Sequence, residues 1–166
     1  MTLEPLLEAS PAIQIHTAAA IAAFGLGAVI LFRRKGGRVH MMAGRIWVAT
    51  MLVVTLSSFF IHTIRMWGLW SPIHLLSIGT TGSLILGVYM IRKRNIASHR
   101  RIMQSTYLGA LIIAGFFTFM PGRIMHEVLF TGPLAPDPVW TLVAVLIGGV
   151  LIFIAVRRQS ILHSAP

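Results

Sequence analysis

The chain has no cysteine, only four acidic residues, and 11% charged residues, where soluble domains carry about 25%. Without cysteine there is no disulfide framework, thiolate metal site, iron–sulfur cluster or thiol nucleophile to consider. So little charge in 166 residues that are 56% apolar, with a mean hydropathy of +0.82, excludes both disorder and an ordinary water-soluble fold. No nucleotide fingerprint, zinc signature or acyl-transfer triad occurs either, so no flavin or NAD(P)H site is expected. Fourteen Lys and Arg give a net charge of +10, which on a soluble protein would suggest nucleic acid. Here the cations fall in loops between apolar stretches, and no nucleic-acid partner is expected. Glu4 and Glu8 stand where a secretory signal would carry positive charge, so the first apolar stretch is expected to be retained.

What is present is length of apolar sequence. A hydrocarbon core about 30 Å thick needs roughly 20 apolar residues, and five segments come near that length: 12–32, 40–64, 72–91, 102–120 and 139–156. The reading is an all-α membrane protein of one domain with five transmembrane helices: a first pair (12–64), a second pair (72–120) and a fifth helix. Twelve Lys and Arg, including Arg33, Arg34, Lys35, Arg38, Arg45, Arg92, Arg100 and Arg101, lie on one side. Only Arg65 and Arg123 lie on the other. The positive-inside rule therefore places the N-terminus outside and the C-terminus in the cytoplasm. Trp67, Trp70 and Trp140 fall at outer ends, where aromatic belts lie. The basic loops are expected to touch anionic lipid headgroups.

The two pairs repeat one another at an offset of 58 to 59 residues. In each, a His begins the first helix (His16; His74), a basic triplet ends it, and a second His (His40; His99) begins the next. A parallel duplication with short loops predicts an up-down four-helix bundle with first and third helices facing diagonally, and likewise second and fourth. His16 is then opposite His74 near the outer surface, and His40 opposite His99 near the inner one.

Ionisable groups at membrane depth usually face the bundle interior and serve function. Two neutral imidazoles on diagonal helices are what bis-His haem ligation requires, so the expected cofactor is haem b, two per chain. Gly25, Gly27, Gly79, Gly82, Gly87, Gly109 and Gly115 would give the macrocycle room, with propionate partners among Arg38, Arg45, Arg100 and Arg101 inside and Arg65 and Arg123 outside. Trp47 and Tyr107 would lie between the layers. His62 and His126, which also end helices on the outer side, form a rival outer pair, and Met41, Met42 or Met103 offers a His/Met alternative inside. Pro121 and Gly122 should break the fourth helix and direct Arg123 to a propionate, an anionic donor such as ascorbate, or a quinone. The plainer alternatives are histidines bonded to neighbouring helices, glycines serving helix packing, and an arginine snorkelling to the interface.

The layout of His16, His40, His74 and His99 resembles the ascorbate-reducible dihaem transmembrane cytochromes b, in which alternate helices share a haem. In sequence, KGGRVHMMAGRIWV, SPIHLLS and SHRRIMQSTYLGALIIAGFFTFMPGR are similar to a bacterial family of predicted membrane proteins of unknown function. That resemblance supports the importance of the four histidines and Arg123 and implies the bacterial cytoplasmic membrane, but supplies no activity. The leading expectation is a haem-dependent transmembrane electron-transfer protein working between a quinol or small reductant and ferric iron or a redox partner protein. A proton- or metal-ion transporter and a non-catalytic assembly subunit are the alternatives. The hydroxyls Thr80, Thr81 and Ser83 are the one polar exception in otherwise bare helix middles. The fifth helix carries no ionisable side chain and could support a homodimer.

Overall fold

The computed structural model describes residues 2–62, 68, 70–131, 143–144, 147–149 and 151. Those residues are helical throughout their regular structure, in the order α1 (Glu4–Leu7), α2 (Pro11–Phe32), α3 (Arg38–Ser58), α4 (Pro72–Arg92), α5 (Ile96–Thr106), a π-helical segment (Tyr107–Ile113), α6 (Ala114–Phe117) and α7 (Ile124–Phe130). Among them, α2, α3 and α4 are long and apolar enough to cross a membrane. The chain divides into two compact units, Ala9–Leu111 and Met1–Glu8 with Ile112–Pro166.

Local signals explain the helix boundaries. Pro11 and Pro72 occupy the first turns of α2 and α4, where a missing N–H costs nothing. Arg33, in extended conformation, stops α2, and Gly36 (φ +88°) and Gly37 turn the chain into α3. The second turn uses different residues at the repeat offset: Arg94 takes the left-handed conformation (φ +58°), and Asn95 caps α5 by accepting the Ser98 N–H at 3.0 Å. The helix expected over 40–64 therefore starts at Arg38 and ends at Ser58, where the chain turns at Phe59. The one expected over 102–120 starts at Ile96 and is interrupted by the π segment. Within 139–156 the described residues 143–144, 147–149 and 151 are helical, and the remainder lies outside the described residues.

In the larger unit α2 packs on α3, α3 on α4 and α4 on α5. Tyr107 closes the ring by donating its hydroxyl to Phe24 O of α2 at 3.1 Å. Beside it Trp47 of α3 donates Nε1–H to Ala23 O at 2.9 Å. Gly27 is the residue that admits both rings, because a Cβ there would lie 2.5 Å from Tyr107 and 2.7 Å from Trp47. Thus Trp47 and Tyr107 are structural rings that tie α3 and the π segment to α2.

The burial pattern is that of a protein solvated by lipid. Ile21, Leu56 and Ile85 are each more than 60% exposed, whereas Thr55, Ser58, Ser71, His74, Ser77, Thr80 and Thr106 are buried. Large apolar side chains outside and small polar ones between helices is the arrangement that hydrocarbon, not water, permits. Ser58 and Ser77 join α3 to α4 with an oxygen separation of 2.5 Å. Ser58→Ala should lower stability by about 0.6–1.7 kcal/mol, the range for hydrogen bonds between membrane helices, read as a lower thermal midpoint in detergent.

In the smaller unit α1 packs on α7, and Thr2 N–H meets Val128 O at 3.1 Å. Pro121 and Gly122 (φ +79°) turn the chain into α7, whose N-cap is Arg123.

Candidate functional site

The larger unit holds five histidines, His16, His40, His62, His74 and His99, and their ring nitrogens differ in a way sequence cannot show. A backbone carbonyl can only accept, so a ring nitrogen against one must carry its hydrogen, leaving the other nitrogen of a neutral ring with a free lone pair. His16 of α2 donates Nδ1–H to Val54 O of α3 at 3.0 Å, with Ser57 Oγ at 3.2 Å. His99 of α5 donates Nδ1–H to Gly87 O of α4 at 2.8 Å. Both therefore present Nε2 as a lone pair, held in the tautomer of a metal-ligating imidazole.

His74 is the opposite case. Its Nδ1 accepts the Ser71 N–H at 3.1 Å in the first turn of α4, so its neutral ring carries hydrogen on Nε2. The ring is 3% exposed, lies parallel to Phe59 at 5.8 Å, meets Trp70 edge-on, and has its Nε2 buried without a partner. His62, an exposed residue, stands with its ring 5.2 Å from that of His74. The structure thus brings His62 to His74. Its rival partner His126 belongs to the smaller unit, where Nδ1–H bonds Phe119 O at 2.8 Å and the ring lies 4.7 Å from Phe130. Arg123, in that same unit, is half-buried at the start of α7.

At the basic end, His40 stands in the first turn of α3, within electrostatic reach of His99 and Lys35. Its Nδ1 is buried and unpartnered. His40 lines a cavity of about 370 Å³ with Arg33, Arg34, Lys35 and Arg38, and among the described residues no acidic side chain lines it. Burial and, after it, the charge of Arg100 hold the Lys35 ammonium below the usual lysine range. The Arg100 guanidinium has its Nε buried without a partner, about 100° round α5 from His99. Arg101 lies about 200° round the helix from His99, and Arg45 is exposed on α3, so Arg100 is better placed than either to serve a group beside His99. Among the glycines expected to admit a macrocycle, the space at Gly27 is taken by Tyr107 and Trp47 and that at Gly87 by Met103. Gly25, Gly79, Gly82, Gly109 and Gly115 have open space where a Cβ would stand.

Arg65, Trp67, Trp140 and His163 lie outside the described residues. Among the described residues no three His, Cys, Asp or Glu side chains gather as a cage for a bare metal ion. The cavity that His40 shares with four cationic side chains suits an anionic ligand.

Sequence reasoning found the histidines by type and spacing. It missed the Ser71 contact that fixes the tautomer of His74, although a Ser-Pro pair three residues ahead of a His is a capping signal. Neither a curated protein nor a solved structure matches the chain. The model of the family described as Predicted membrane protein (DUF2306) matches residues 13–154, most of the sequence. The chain therefore belongs to the DUF2306 family of predicted membrane proteins.

Proposed function

We propose that this protein is a haem b-binding electron-transfer protein of the bacterial cytoplasmic membrane, crossing it five times with the N-terminus outside and the C-terminus in the cytoplasm. The observation that carries the reading is His99, whose Nδ1–H bond to Gly87 O leaves Nε2 with a lone pair within electrostatic reach of His40, itself part of the lining of a basic pocket. His40 and His99 would hold the haem at the cytoplasmic layer. The unpartnered His40 Nδ1 and Arg100 Nε are polar atoms without a protein partner, which such a ligand would bring into use. Arg100, Arg38 and Lys35 would hold the propionates by charge-assisted hydrogen bonds. A bound haem would supply one-electron chemistry, and the chain's share is to fix the imidazole tautomers, neutralise the carboxylates and exclude water.

At the outer layer His16 offers the same tautomer as His99, but His74 offers an N–H where a ligand needs a lone pair. Ligation by His74 would require its bond to Ser71 to be given up. The reading is accordingly one haem per chain, at the inner layer, rather than two. Electrons would pass between a quinol or small reductant and ferric iron or a redox partner protein.

The test is a reduced-minus-oxidised visible spectrum of the purified protein, expressed with full haem supply, together with the haem-to-protein ratio. A b-type spectrum at one haem per chain is expected. Two haems per chain would mean that His74 changes tautomer and ligates, and a colourless protein would overturn the cytochrome reading.

A further inference from the structure

Between α4 and the run of α5 with its π segment lies a groove of about 540 Å³ that no histidine lines. It opens at its rim, where Leu76 and Leu86 are 41% and 45% exposed, and Gly79 and Gly109 in its walls leave room for a ring. Its polar lining is Thr80, Ser83, Ser105 and Thr106, with Arg101 toward the basic end.

The hydroxyls in this groove are not all satisfied. Ser and Thr in membrane helices ordinarily give their hydrogen to a carbonyl of their own helix. Thr50, Ser57, Ser58 and Thr106 do so, bonding Ile46 O, Val53 O, Thr55 O and Ile102 O. The hydroxyls of Thr80, Ser83 and Ser105 make no hydrogen bond among the described residues, although Thr80 is only 7% exposed. Thr80 and Ser83 are the ninth and twelfth residues of α4, about 12 and 16 Å along a helix of about 31 Å. They are therefore near the middle of the membrane, where a donor without an acceptor is costly.

An occupant that answers these donors must be apolar enough to reside in hydrocarbon, flat enough for a cleft walled by glycines, and must carry acceptor oxygens at mid-depth. Phospholipid tails have no oxygen there, because their esters stay at the interface. A His-ligated haem finds no ligand in this groove. We propose that the groove between α4 and α5 binds the ring of an isoprenoid quinone, with the hydroxyls of Thr80, Ser83 and Ser105 donating to its carbonyl oxygens. The assignment rests on the electron-transfer reading above and gives it a lipid-soluble carrier. His99 bridges the same two helices two residues from Arg101, so the ring and the inner-layer imidazoles share one helix pair.

The test is calorimetric titration of decylubiquinone into the full-length protein in detergent, with decanol as a tail-only competitor and the thermal midpoint as a check of folding. Saturable binding to the wild type is expected, with decanol failing to displace it. Ser105→Leu, which fills the groove from an exposed position, should abolish binding. Thr80→Val, which keeps the volume and removes the hydroxyl, should weaken it about tenfold. Binding unchanged in both variants, displacement by decanol, or no saturable binding to the wild type would each overturn the proposal. The haem content of the same preparations is read separately. A colourless protein that still binds the quinone in this way sinks the cytochrome reading and keeps the groove, whereas a coloured protein without saturable binding does the reverse.

Discussion

On the proposed haem reading, replacing His99 by alanine is expected to remove the haem absorbance of the purified protein, while replacing His74 by glutamine leaves it in place. The two histidines occupy equivalent standing in the sequence, each opening a helix in one half of a repeat or its continuation, so sequence predicts equal effects. The difference lies in hydrogen-bond direction. His99 gives its Nδ1–H to Gly87 O, a group that can only accept, and so holds a lone pair on Nε2. His74 accepts the Ser71 N–H and so holds a hydrogen there. A metal can replace no proton on His74 without first breaking a capping bond at the start of α4, whereas at His99 the bond already present increases ligand basicity. His40→Ala should behave as His99→Ala does, since both imidazoles would hold the group. Haem retained in full by His99→Ala, or lost from His74→Gln with the thermal midpoint unchanged, would reverse the assignment of the two layers.

The second large effect concerns folding. Gly27→Ala should lower the thermal midpoint sharply, whereas Gly25→Ala, two residues away on the same helix, should leave it unchanged or raise it. At Gly27 the new methyl would stand 2.5 Å from Tyr107 Cε2 and 2.7 Å from Trp47 Nε1. Neither ring has room to retreat, because Tyr107 is 1% exposed and Trp47 is 5% exposed, and each is held to an α2 carbonyl. Overpacking of this kind costs about 1–3 kcal/mol, and loss of both ring hydrogen bonds adds about 0.6 kcal/mol each. At Gly25 nothing lies within 4 Å of the added carbon, and alanine is the better helix former by about 1 kcal/mol. Equal midpoints for the two variants would show that the α2 seam with Trp47 and Tyr107 does not hold the bundle.

These two cases mark what could be read from sequence. The extents of α2 and α4 follow from hydropathy bounded by proline at one end and arginine or lysine at the other, and the structure agrees with them to within a residue. α5 begins well ahead of its apolar run because IASHRR is polar yet helical, and the decisive signal is the Asn95 cap rather than hydropathy. α3 ends early because its end is set by partners on α4, with Ser58 on Ser77 and Phe59 on His74, while its sequence stays apolar beyond. The π segment at Tyr107–Ile113 is invisible to a hydropathy window, which reads composition and not hydrogen-bond spacing. Likewise the histidines were legible as residue types in a repeat, but which nitrogen bears the hydrogen depends on carbonyls and amides supplied by other turns and other helices. The groove was foreshadowed only by Thr80 and Ser83, because Ser105 belongs to a helix whose facing could not be known.

Arg94 marks a point where the two halves of the repeat make the same turn at different cost. A non-glycine residue in the left-handed conformation costs about 1–2 kcal/mol, and the matching position in the first half of the repeat is Gly36, which adopts such a conformation freely. The arginine recovers part of that cost as a cation just past the C-terminus of α4, where the helix dipole favours positive charge by about 0.3–1 kcal/mol. The turn between α4 and α5 thus keeps a residual cost of about 0–1.7 kcal/mol that the turn at Gly36 does not carry. The helix pair that carries His99 is therefore held together by the packing of α4 on α5 and by the Asn95 cap, against a joint that pulls slightly the other way.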